Sequence, residues 1–263
     1  MITIAIATHK GGTGKTVTAM ALAAAFARAG SSTLLVDLDP QGHSTLGLGV
    51  DVGDDQPTLR ELLIENRARP LVEIVTATKT PNLSMVPASI VAERNAQLLY
   101  MRPKREEVLR RALLKLYPSP AVVVIDCPPS LGPLTENGIA AADWIVVPCQ
   151  MEARAYDGLV DLLELVAAVK GDEFDAWRIL YTKYDARRSV MNRAVQAQLE
   201  RYSLRVLETT IPQSEPLNQA QLAREDIFTY ADDSKGAQAY RALAGELLQL
   251  LDLPAAAGVG ARS

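Results

Sequence analysis

The chain reads as short, purely apolar runs separated by longer stretches with helical spacing. Residues 2–7 are apolar, with Thr3 the one polar position. A run without polar alternation predicts a strand buried on both faces, as a parallel sheet requires. Residues 33–36, 121–125, 144–148 and 178–181 repeat that pattern. Runs at 73–76 and 83–87 flank a Thr80-Pro81-Asn82 turn and predict two further strands, and 205–209 predicts a last one. Helical spacing covers 15–29, 58–64, 89–101, 103–116, 134–142, 156–170, 187–202 and 235–251. Thr58 is placed to cap its helix, Pro103 to open one, and Gly30 and Gly171 to close theirs. Residues 43–57 read as irregular with one short helix near 44–48, and 212–233 as polar and loop-like. Strands alternating with helices predict an α/β fold, a doubly wound, mainly parallel sheet with helices on both faces. With no linker or repeat in view, residues 1–252 are expected to form one domain and the Ala/Gly-rich residues 253–263 a flexible tail.

Composition changes this picture little. The 263 residues are 48% hydrophobic and 22% charged, ordinary for a water-soluble globule, and the 5% aromatic content leaves the core to Ala, Leu and Val. A net charge of −4 argues against a coat of basic charge but allows a local basic patch. Cys127 and Cys149 form no CxxC pair, and each follows an apolar run, so both are expected to be buried, reduced thiols. The chain opens directly into a strand, and no apolar run reaches the roughly 20 residues that span a membrane, so a cytoplasmic location without membrane contact is expected.

The chemistry concentrates after the first strand. Lys10-Gly11-Gly12-Thr13-Gly14-Lys15-Thr16 joins a strand to a helix. Glycines let backbone N–H groups turn around an anion, and the helix start adds its positive dipole end. In such a phosphate loop Lys15 reaches the β/γ-phosphates and the Thr16 hydroxyl ligates Mg²⁺. A Gly-Gly-Thr-Gly stretch alone is an ordinary turn; the strand, the Lys-Thr ending and the helix together make it a nucleotide site. The general pattern G-x-x-x-x-G-K-[ST] nevertheless fails, because His9 stands where its first Gly belongs, and a second lysine, Lys10, opens the loop.

Two further strands end in carboxylates. Asp37-Leu38-Asp39-Pro40-Gln41-Gly42 follows the second, and Asp126-Cys127-Pro128-Pro129-Ser130 follows the run at 121–125. Carboxylates at the C-terminal ends of parallel strands face the ligand crevice, where they suit a Mg²⁺ site. Turn formation explains either run taken alone.

These motifs, with Pro148-Cys149-Gln150, Thr182 to Arg187 and Ser234-Lys235-Gly236-Ala237-Gln238-Ala239-Tyr240, resemble the deviant-Walker ATPases of the ParA type. The resemblance runs from residue 1 to about 252 and fits the short form, without an N-terminal helix-turn-helix domain. It implies ATP/ADP and Mg²⁺ as cofactors and slow hydrolysis that depends on dimerisation. Lys10 would be the signature lysine, reaching across an ATP-bound homodimer to the other subunit's phosphates. Lys15, Thr16 and the rest of the loop from Lys10 to Val17 would hold nucleotide within the subunit. Asp39 would help position the attacking water, Asp37 would be a nearby switch carboxylate, and Asp126 would hold a Mg²⁺-bound water. Adenine would lie against Thr182, Lys183 and Asp185 and the Ile211-Pro212 segment.

The resemblance also implies non-specific DNA binding in the ATP state, release by a ParB-like partner that stimulates hydrolysis, and association with the nucleoid. Arg187, Arg188 and Arg193 cluster at one helix start, followed by Arg201 and Arg205, and can contact phosphates. After Ile211-Pro212 the family often has a basic run; here Gln213-Ser214-Glu215-Pro216-Leu217 takes its place. Arg224 and Lys235 are then substitute candidates. The alternatives are relatives that position protein cargo, MinD-like membrane binding, and an electron-transfer ATPase resembling nitrogenase iron protein. The region from 253 holds one arginine and little amphipathicity, and two cysteines at different strand ends make a poor cluster site.

Overall fold

The computed structural model describes residues 1–53, 56–63, 69–89, 99–152 and 155–251. Its strands are β1 (Ile2–Ile6), β2 (Thr33–Asp37), β3 (Thr76–Ala77), β4 (Leu83–Val86), β5 (Val122–Asp126), β6 (Trp144–Gln150) and β7 (Trp177–Thr182). They form one seven-stranded sheet in the order β3-β4-β2-β5-β1-β6-β7. Every pairing is parallel except that of β3 with β4. The apolar runs without alternation are therefore explained: β2 and β5 are buried at every position.

The described helices are α1 (Lys15–Arg28), α2 (His43–Gly47), α3 (Leu59–Leu63), α4 (Leu71–Ile74), α5 (Val108–Leu114) and α6 (Pro133–Ala141). They continue with α7 (Ala155–Lys170), α8 (Ser189–Gln198), α9 (Glu215–Ala223), α10 (Ile227–Ala231) and α11 (Lys235–Leu250). Two apolar layers cover the sheet. One joins α3 to α8 against residues such as Val123, Ile125 and Ile145; the other joins α1 and α9 to α11 against Ile4, Val124 and Val146. Helix α1 is buried nearly all round, and its run of alanines lets it lie close beneath the sheet beside α11.

Five expectations need correction. The strand expected at 73–76 is instead the end of α4, and only Thr76–Ala77 pairs, antiparallel to β4. No strand forms at 205–209. Val206 makes a single bridge to Ile179, and the N–H groups of Glu208 and Thr209 donate to the Glu246 carboxylate at 2.7 and 3.0 Å. Backbone donors satisfied by a helix side chain have none left for a ladder. Residues 212–233 are not loop-like: they hold α9, with Pro at its start, and α10. Asp226 caps α10 by accepting from Phe228 N and Thr229 N. Their polar outer faces masked the buried period of Leu217, Ala220, Ile227 and Phe228. Finally, the single helix expected over 187–202 is α8 followed by a 3-10 turn, Glu200–Arg205. The helix expected at 103–116 begins as a 3-10 turn, Arg105–Glu107. Most of the helix expected at 89–101, and the region from 253, lie outside the described residues.

Candidate functional site

Parallel register brings the site together. Asp126 ends β5 opposite Asp37 on β2 and Ile6 on β1. The loop leaving β1 thus starts beside Asp126 at the end of β5, with Asp37 of β2 on the far side of that residue. Within that loop Gly12 and Gly14 have φ of +77° and +92°, a region L side chains avoid, which is why glycines occupy both. Gly14 starts α1, and the helix N-terminus faces the loop's concavity.

Lys15 is 6% exposed and donates from Nζ to the Lys10 carbonyl at 2.9 Å, closing the loop on itself. Burial lowers its pKa; the charges of Asp126 and Asp39 oppose that shift. Asp126 is fully buried. Its Oδ2 accepts from Ser44 Oγ at 2.5 Å, while Oδ1 has no partner. Burial pushes its pKa up to about 6, against the hydrogen bond from Ser44 and the charge of Lys15. An orphaned, buried carboxylate oxygen beside a threonine hydroxyl is the donor set of a water-bridged divalent cation. Among the described residues no His, Cys, Asp and Glu group forms a self-sufficient metal cage, which also suits Mg²⁺ shared with phosphates.

Asp37 and Asp39 differ. Asp37 is buried and satisfied: Thr45 donates to Oδ2 from N at 2.9 Å and from Oγ1 at 2.7 Å, and Asp39 N donates to Oδ1 at 3.2 Å. Burial and the charge of Asp126 raise its pKa well above the ordinary carboxylate range. It braces the turn rather than facing a ligand. Among the described residues the Asp39 carboxylate accepts only from Gln41 N, at 3.0 Å, which leaves acceptor capacity free at the crevice.

Lys10 turns to the other side. Its Nζ donates to Glu152 Oε2, just past β6, at 2.6 Å. Next to it His9 Nδ1 meets Asp161 Oδ2 on α7 at 2.8 Å. Gly158 permits this approach, since a Cβ there would lie 3.3 Å from the His9 carbonyl oxygen. Sequence reasoning missed Ser44, Thr45 and Glu152 as partners of the site. Ser44 and Thr45 become visible only once β2 and β5 are neighbours, and Glu152 only once β6 flanks β1.

A cavity of about 110 Å³ adjoins the loop, lined by Gly14, Val17, Thr182, Lys183, Pro212 and Tyr240 among others. The expected adenine contacts therefore come together, tied to the loop by Thr182 Oγ1, which donates to the Thr13 carbonyl at 2.7 Å. Asp185 does not line it. It lies in the neighbouring groove, paired with Arg187, whose bidentate contact holds the Asp185 carboxyl down at about 2.

The basic candidates separate. Arg188 and Arg193 are exposed at the start of α8, near Arg187, and Lys235 is exposed at the start of α11. Arg224 instead pairs with Asp51 and the Leu46 carbonyl. Arg201 and Arg205 stack on Tyr202 and Trp177.

Residues 1–176 match the family model described as an AAA domain. The chain is 35% identical to the sporulation initiation inhibitor protein Soj of Bacillus subtilis, over 93% of this chain and 97% of that protein. It is 36% identical to the chromosome partitioning protein ParA of Myxococcus xanthus, over 94% and 87%. Among solved structures, a Mycobacterium smegmatis protein named cobyrinic acid a,c-diamide synthase, with bound ADP and magnesium, superposes with a TM-score of 0.81 at 35% identity, covering 96% of each chain. The phosphate loop, the paired strand-end carboxylates, the parallel sheet and these likenesses place the chain in the ParA family of P-loop ATPases.

Proposed function

We propose that the protein is an ATPase whose ATP-bound homodimer grips DNA without sequence preference and lets go on hydrolysis, segregating chromosome or plasmid DNA. A ParB-like protein that stimulates hydrolysis is the partner this reading calls for. The observation that carries it is the pairing of a phosphate loop with a second lysine, Lys10, whose carbonyl holds Lys15 while its ammonium turns away to Glu152. Partition relatives of B. subtilis and M. xanthus that match nearly end to end support the cellular role.

In this reading the backbone N–H groups of Gly11 to Thr16 bind the phosphates, and Val17, Thr182, Lys183 and Pro212 seat the base. Lys15 neutralises phosphate charge within the subunit. Thr16 and Asp126 would hold Mg²⁺, the latter through water, with Asp39 nearby; bound there, the ion neutralises charge on the phosphate oxygens. Asp39 orients the attacking water. Lys10 serves the other subunit. Its ion pair with Glu152 is about one-third exposed on each side, so exchanging it costs at most ~1 kcal/mol.

The exposed arginines Arg187, Arg188 and Arg193 would make the phosphate contacts, with Lys235; a dimer doubles the set. Arg224, tied to Asp51, contributes least. The name of the M. smegmatis structure suggests amidation chemistry for that protein. Neither thiol here suits release of nitrogen from glutamine by a cysteine nucleophile: both are buried, and burial raises both pKa values, that of Cys149 to about 11.

The test is binding to a random-sequence DNA duplex with ATP and Mg²⁺, with and without Lys10. Salt-sensitive binding that Lys10→Ala abolishes supports the reading. No binding at low salt with ATP present overturns its DNA half.

A further inference from the structure

Away from the nucleotide site, α3, α4 and α5 frame an open groove of about 420 Å³. None of its lining residues belongs to the phosphate loop or to the segments after β2 and β5. Its floor and walls are apolar: Leu62, Leu71, Val72, Val108 and Ala112. Val72 is 52% exposed, a large aliphatic side chain left in water. It lies on α4, just before the residues expected to be extended, and the helix presents it here.

The rim is cationic. Arg69, Arg102, Arg111 and Lys115 line the groove, and among the described residues no acidic one does. This reverses the charge of the molecule: residues 99–120 carry six Lys or Arg and two Glu in a chain with a net charge of −4. Arg111 bonds Glu107 at 2.5 Å and Arg69 meets Glu73 at 3.8 Å, both pairs four residues apart and open to solvent. Such solvent-exposed pairs hold weakly and exchange readily for a better carboxylate. Among the described residues no acidic side chain pairs with the Lys115 ammonium.

We propose that this groove docks an acidic amphipathic helix of another protein, with its aliphatic side chains on the Leu71–Val108 floor and its carboxylates on Arg69, Arg111 and Lys115. An apolar centre ringed by arginine is the anatomy of a protein interface, and helix-in-groove docking uses that pairing of apolar anchors with rim charge. A nucleic-acid backbone would use the rim and leave the apolar floor unmatched. This inference does not rest on the function proposed above.

The test pans a display library of random 16-residue peptides on the full-length protein, then measures the selected peptides by fluorescence anisotropy. The expected selection is rich in Asp and Glu, with Leu, Ile or Phe at three- and four-residue spacing. Arg111→Glu with Lys115→Glu should weaken those peptides by at least about tenfold, and Val72→Asp should do so separately. ATP hydrolysis and circular dichroism should stay unchanged in both variants, which separates docking from folding. Selection of peptides without acidic bias, or binding indifferent to the charge reversal, overturns the proposal. So does a charge-reversal variant that loses random duplex DNA binding instead, which would make the groove a nucleic-acid surface. A change in its sedimentation would make it a contact between copies of this chain, and likewise overturn the proposal.

Discussion

At the residue scale, Asp126 shows how the site holds charge in reserve. One oxygen is satisfied by Ser44 and the other has nothing to bond. Burial makes that carboxylate costly in the nucleotide-free protein. Asp126→Asn keeps the acceptor for Ser44 and removes the buried charge. It should therefore raise Tm of the nucleotide-free protein, by about 2 kcal/mol of stability, while abolishing Mg²⁺-dependent hydrolysis. Thermal unfolding and a phosphate-release assay check the two halves; a lower Tm with hydrolysis intact would contradict the assignment. The strand-end carboxylates were legible because an apolar run ending in Asp survives any tertiary context. Their division of labour was not. Asp37 and Asp39 stand two residues apart in one motif, yet Thr45 closes off Asp37 and leaves Asp39 open.

At the element scale, α6 sits against the stems of both carboxylate segments. A Cβ on Gly138 would lie 2.5 Å from Cys127 Sγ and 3.2 Å from Leu38 Cδ1. Gly138→Ala gains up to about 1 kcal/mol of helix propensity but overpacks the contact by ~1–3 kcal/mol, so the net effect is destabilising. The expected result is a Tm lowered by several degrees, together with slower hydrolysis, because Asp39 and Asp126 follow those stems. Unfolding scans and turnover at saturating ATP measure both. The strands that core the sheet were readable from their apolar runs. Helices α9 and α10 were not, because each shows a polar face and buries few residues. The strand expected at 205–209 failed for a different reason: Glu246, from α11, takes its backbone donors.

At the scale of the whole molecule, Asp226 fastens elements far apart in sequence. It accepts from Arg28 at the end of α1, from Thr80 before β4, and from Phe228 N and Thr229 N of α10. Burial works to raise its pKa, but hydrogen bonds from Arg28, Thr229 and Thr80 outweigh it and hold the pKa down. A depressed folded-state pKa stabilises above the unfolded value, near pH 4, and that contribution is lost as pH falls through the folded value. Asp226→Asn should cost about 2–4 kcal/mol at neutral pH, with the gap to the native protein closing in acid. Urea unfolding at several pH values measures it; a gap that widens in acid would contradict the sign. Sequence pattern could not reveal this clamp, since Arg28 and Thr80 become neighbours of Asp226 only when the sheet forms.

In the proposed function Lys10 completes the site of a second subunit. In the isolated chain Glu152 holds Lys10, so Lys10 acts only in an assembly. Mixing Lys10→Ala protein with Asp39→Ala protein tests it most directly, by ATP turnover with Mg²⁺. Each variant alone should be inactive. In mixed dimers the Lys10→Ala subunit keeps Asp39 and receives the partner subunit's Lys10. Random pairing of equal amounts should then restore about one quarter of wild-type turnover, from one competent site in half of the dimers. An active Lys10→Ala protein, or a mixture as inactive as its parts, would contradict the account.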